Sequence, residues 1–100
     1  MPRYLKNWRY KDIVAFLKQH FFILNYTERS SHYYYKGFVD NEYREVEVQY
    51  HASKSISPKC LQHDIILKSG IPKEYWKDWA RAGNKKAQRE IQYEGAKKIK

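Results

Sequence analysis

From Tyr43 to Tyr50 the chain alternates residue by residue, with Val46, Val48 and Tyr50 on one side and Glu45, Glu47 and Gln49 on the other. Such a period of two suits an extended strand with one buried face and one wet face, so this segment constrains the fold more than any other. Two further β-type runs precede it, Phe22 to Thr27 and the almost wholly aromatic Ser31 to Phe38. Asp40-Asn41 marks the turn between the second and third runs. Three consecutive strands joined by short loops predict an antiparallel meander.

Helical signals frame the strands. Tyr10, Ile13, Val14, Leu17 and Phe21 recur at three- and four-residue steps, which predicts an amphipathic helix between Arg9 and His20. His20 closes that helix, where a cation would face the C-terminal end of the dipole. After the polar loop from His51 to Ile56, Ser57 is a good N-cap and Pro58 a good first helical residue. That helix runs through Leu61, Ile65 and Ile66 to Gly70, a natural left-handed cap. Ile71-Pro72 opens a last short helix carrying Tyr75, Trp76 and Trp79, read as the residues that finish the core. The expected architecture is α+β, in the order α-β-β-β-α with a C-terminal helical extension and the helices on one face of a three-stranded sheet.

The chain has 100 residues, enough for one small domain. Twenty Lys and Arg against eleven Asp and Glu leave a net charge of +9, which points first to nucleic acid and second to an anionic membrane. Residues 1–83 read as the domain. Residues 84–100 hold six basic and two acidic groups, with Ile91 and Tyr93 as the bulky apolar ones, and read as a solvated basic tail or a weak helix. Cys60 is the single cysteine, which excludes an intrachain disulfide and a thiolate zinc cluster and fits a reducing compartment. The runs Phe21 to Leu24 and Ile65 to Leu67 fall far short of the ~18 residues of a membrane span. No apolar stretch follows Met1-Pro2-Arg3-Tyr4, and a cytoplasmic protein is the expectation.

His32 is the leading candidate for chemistry. With Tyr33 and Tyr35 facing the core, the period-two rule puts His32 and Tyr34 on the open face. An imidazole there, beside aromatic surface on a basic domain, suits general acid–base cleavage of RNA. The second candidate is the start of the helix after Ser57, where free N–H groups flanked by Lys54 and Lys59 are suited to a phosphate. His51 leaves the third strand just before this basic loop. His63 has no partner at metal-ligand spacing, and Asp64 points to a different helical face. Glu45 and Glu47 share the open face with His32 and would repel a phosphate backbone.

In order and spacing these segments resemble the HicA toxin family. The matching residues are Ser31-His32-Tyr33-Tyr34-Tyr35, then Val46-Glu47-Val48-Gln49-Tyr50-His51 with Lys54 and Ile56, then Ile65-Ile66-Leu67-Lys68-Ser69-Gly70-Ile71, across roughly residues 9–71. The resemblance implies a fold like the double-stranded-RNA-binding domain and an mRNA endoribonuclease that works without metal or cofactor. It places the catalytic histidine at His32, and with that activity Ser31, Lys54 and Lys59 would make the RNA contacts. It also implies a HicB-type antitoxin as partner. Where the family usually has Gly-Ser-His, this chain has Ser30-Ser31-His32, with a more restricted backbone. Two other classes compete: a non-catalytic double-stranded-RNA-binding-like module, and a scaffold acting through Tyr75, Trp76 and Trp79.

Overall fold

The amphipathic stripe forms α1 (Tyr10–Gln19) and buries Ile13, Val14, Phe16 and Leu17. In the computed structural model, which describes residues 6–50 and 55–98, the helix ends in a tight reversal. The Phe21 N–H donates to the Lys18 carbonyl and the Phe22 N–H to the Leu17 carbonyl. This is the Schellman pattern, but a phenylalanine with φ of 68° occupies the position glycine usually takes. The turn drives Phe22 into the core against Gly37, where an added Cβ would lie 2.8 Å from the ring.

The three predicted strands follow as β1 (Ile23–Glu28), β2 (His32–Val39) and β3 (Glu42–Gln49), antiparallel in the order β1-β2-β3. Asp40 and Asn41 make a two-residue turn with φ of 55° and 65°, the left-handed pair that matches strand twist in a hairpin. Tyr35, Val39, Val46 and Val48 are buried on the face that meets the helices. His32, Tyr34, Glu45 and Glu47 take the other face, as the alternation requires.

Residues 58–69 form α2, α-helical over Pro58–Cys60 and Leu67–Ser69 and π-helical over Leu61–Ile66. The Ser57 hydroxyl accepts from the Cys60 N–H at 3.2 Å, and Gly70 closes the helix at φ of 75°. The wider π turn lets Leu61, Ile65 and Ile66 all reach the core. Next, α3 (Lys73–Arg81) buries Trp76 and Trp79. Trp8 stacks on Trp79 with ring centroids 5.2 Å apart, and Phe16 on Trp76 at 3.9 Å. Burial of Trp76 and Trp79 removes the scaffold surface that the Trp-bearing helix had offered.

Two expectations are corrected here. First, the segment after residue 83, read as a solvated tail or a weak helix, does form a short helix, α4 (Lys85–Arg89), but it is fastened to the domain and adds a fourth strand, β4 (Ala96–Lys97), which pairs with Phe38 and Val39 of β2. Gln19, at the end of α1, donates to the carbonyls of Gln88 and Ile91, both at 2.8 Å. Ala96 is buried, and the Tyr93 hydroxyl donates to the Asp40 carboxylate. Hydropathy is blind to this strap because polar hydrogen bonds hold most of it.

Second, His20 is not a cation at the helix end but a fully buried ring. Its Nδ1 donates to the Phe16 carbonyl at 2.9 Å and its Nε2 accepts from the Tyr93 N–H at 3.0 Å, which fixes the neutral tautomer. Burial lowers its proton affinity, the backbone bond opposing in part. Among the described residues, no helix is long and apolar enough to cross a membrane.

Candidate functional site on the open sheet face

His32 is the first residue of β2, and the register pairs it with Gln49 while Tyr34 pairs with Glu47. Glu47 is therefore the diagonal neighbour of His32 on the open face, within reach of a long side chain. The His32 Nδ1 donates to the Glu47 Oε2 at 2.5 Å. Because a carboxylate can only accept, the neutral ring then carries its proton on Nδ1 and keeps Nε2 as a free acceptor. Nε2 has no protein partner among the described residues. With 28% of the histidine side chain exposed, the imidazole is oriented yet reachable.

Beside it, Tyr34 lies flat on Tyr26, with ring centroids 4.4 Å apart and planes within 9°. Partial desolvation and then the Glu28 and Glu47 carboxylates push the Tyr34 hydroxyl above its ordinary range. Tyr26 shifts the same way, through desolvation and then Glu45, Glu28 and Glu47. Both phenols therefore stay protonated at neutral pH, and both feel a concentration of negative charge. Asn25 Nδ2 donates to Glu45 Oε2 at 3.1 Å, so Glu45 is held on the same face.

Between β3 and α2 runs a cleft of about 660 Å³. Tyr34, Glu45, Glu47 and Gln49 line its sheet side, and Ser57, Cys60, Asp64 and Lys68 stand opposite. The structure thus brings the carboxylate that holds His32 to one wall and the first turn of α2 to the other. Lys59 is exposed but lies outside the lining, where Lys68 takes its place as the cation. Ser31 sits in the β1–β2 loop, its carbonyl accepting from the Tyr50 N–H at 2.8 Å. Lys54 and His51 lie outside the described residues.

Sequence reasoning had placed Glu47 on this face only as a repulsive charge, and it had not selected Lys68. The diagonal rule would have exposed the first once the register was known. Lys68 carries no local signal, because its place depends on how α2 lies along β3. His63 and Asp64 do diverge as expected, His63 facing a separate hollow beside Arg44 and Lys73. Among the described residues, no three His, Cys, Asp or Glu side chains converge to hold a metal. No protein-family model, curated protein or solved structure gives a significant match to this chain. The functional reading therefore rests on the residues and their geometry.

Proposed function

We propose that this chain is an endoribonuclease of the HicA type, in which His32 is the general base and Glu47 orients it. The observation that carries the reading is the His32–Glu47 hydrogen bond, with Nε2 left free to accept a proton. In the reaction, Nε2 takes the proton of a ribose 2′-hydroxyl, and the 2′-oxygen bonds to the adjacent phosphorus. The bond from phosphorus to the 5′-oxygen breaks, and that oxygen takes a proton from solvent. This leaves a 2′,3′-cyclic phosphate and a 5′-hydroxyl end. Glu47 then faces the positive charge that arrives on the ring with the proton.

The α-β-β-β-α order and the aromatic sheet support a double-stranded-RNA-binding-domain-like arrangement. Glu28, Glu45 and Glu47 disfavour RNA lying across the sheet, so the strand is expected to reach His32 from the β1–β2 loop and the α2 end, with Ser31, Lys54 and Lys59 near its phosphates. An antitoxin of the HicB type would neutralise the activity by covering this face.

The charge distribution favours a second reading, a non-catalytic RNA-binding module. Residues 55–98 carry ten Lys and Arg against five acidic groups, whereas residues 23–49 carry three against five. RNA bound to the helical layer would then never meet His32. Incubating the protein with mRNA in EDTA separates the two. Cleavage that disappears in His32→Ala and leaves cyclic phosphate ends supports the nuclease. Salt-sensitive binding with intact RNA supports the module.

A further inference from the structure

The sheet face that no described residue covers has a chemistry opposite to that of the chain as a whole. Across a net charge of +9, it gathers Glu28, Glu45 and Glu47 from β1 and β3. Of the strand cations, Arg44 turns to the other face and packs over Gly70, whereas Lys36 lies on this face and Lys97 of β4, paired with Phe38, lies towards its edge, so the three carboxylates still outnumber the Lys and Arg that the described strands present here. At physiological salt the screening length is about 8 Å. The molecule measures 31 × 31 × 23 Å, so cations on the far side of the helical layer are largely screened from this surface. An approaching group therefore feels mainly the local carboxylates.

The same face is aromatic. Tyr26 is 42% exposed and Tyr43 53%, and Tyr26 and Tyr34 stack face to face, so each keeps an outer ring face and its edge for a ligand. Carboxylates among open tyrosine rings suit a guanidinium or ammonium group, which gains both ion pairing and contact with a π face. The cleft beside β3 adds Asp64 to Glu45 and Glu47, with Lys68 as the opposing charge.

We propose that the open sheet face is a docking surface for an arginine- and lysine-bearing segment of a partner protein. Its cations sit among Glu28, Glu45 and Glu47, and its planar groups stack against the exposed ring of Tyr26, the outer member of the Tyr26–Tyr34 pair. Docking does not rest on the chemistry of His32. One consequence does rest on the nuclease reading: a segment seated here covers His32 and gives the enzyme an off state.

The test uses a fluorescein-labelled peptide of alternating arginine and alanine, read by fluorescence anisotropy at about 50 mM salt, where screening is weaker than at physiological strength. The double variant Glu28→Gln/Glu45→Gln leaves the His32–Glu47 pair untouched and is expected to weaken binding about five- to tenfold. Glu74→Gln/Asp78→Gln, the same charge change on α3, is expected to leave it unchanged. Thermal midpoints confirm that both variants are folded. Failure of the unaltered chain to bind, or equal affinities for the two double variants, overturns the proposal. So does self-association of the chain that the Glu28/Glu45 variant abolishes, which would assign the face to a second copy. Protection of Tyr26 and Tyr34 by a labelled RNA would overturn it in favour of nucleic acid. RNA cleavage is scored separately with His32→Ala, so loss of the nuclease reading leaves this result standing.

Discussion

Alternate residues of β2 and β3 build two surfaces with opposite fates. On the helix side, Tyr35, Val39, Val46 and Val48 are buried and meet a core completed by Phe16, Trp76 and Trp79. On the open side, a single residue step away, Tyr34, Glu45 and Glu47 meet solvent and hold the candidate base. The contrast separates stability from chemistry along one strand. The covered side and its strap hold the fold together, while the open side can carry charge and a histidine without disturbing it.

The largest expected effect lies where the covered side is locked by polar groups. Gln19 donates to Gln88 and Ile91 and accepts from the Trp79 indole at 3.3 Å. Gln19→Ala is expected to cost about 2–3 kcal/mol in a urea titration, whereas a solvated tail would predict almost no change. The next test compares neighbours. Val46→Ala should cost about 2 kcal/mol through lost apolar burial, and Glu47→Ala should stay within about 0.5 kcal/mol while depressing RNA cleavage. Equal destabilisation by the two would erase the distinction between the faces.

His20 gives the comparison a pH dependence. Burial holds its proton affinity below the ordinary value of 6.5, so the unfolded chain takes up the proton first as pH falls. The stability conferred by the neutral ring is full above pH 6.5 and is lost progressively below it. The thermal midpoint should therefore drop between pH 7 and pH 5 in the unaltered chain, and that acid-side slope should flatten in His20→Gln. The smallest effect is expected in the loop before His32, where Ser30 has φ of 65°. Ser30→Gly should stabilise by about 0.5–1 kcal/mol, the relief of left-handed strain offset in part by glycine's backbone entropy.

How much of this was legible in the sequence depends on the range of the interaction. Turn chemistry at Asp40-Asn41, the cap at Ser57, the stop at Gly70 and the alternation of β3 act over a few residues. They determined the element order, which strand face is buried, and the open position of His32 and Tyr34. The His32–Glu47 pair spans 15 residues, and its partner could be named only once the strand register fixed which glutamate lies diagonally across. The strap spans more than seventy residues from Gln19 to Ile91, and it is built from amide and carbonyl groups that look solvated in any local reading. His20 likewise reads as a helix-end cation until Tyr93, 73 residues away, closes over it and makes it a neutral core residue. Local periodicity decided where the chain turns and which side faces inward. Only the tertiary structure decided which polar groups meet, because hydrogen bonds and ion pairs depend on positions that sequence spacing does not carry.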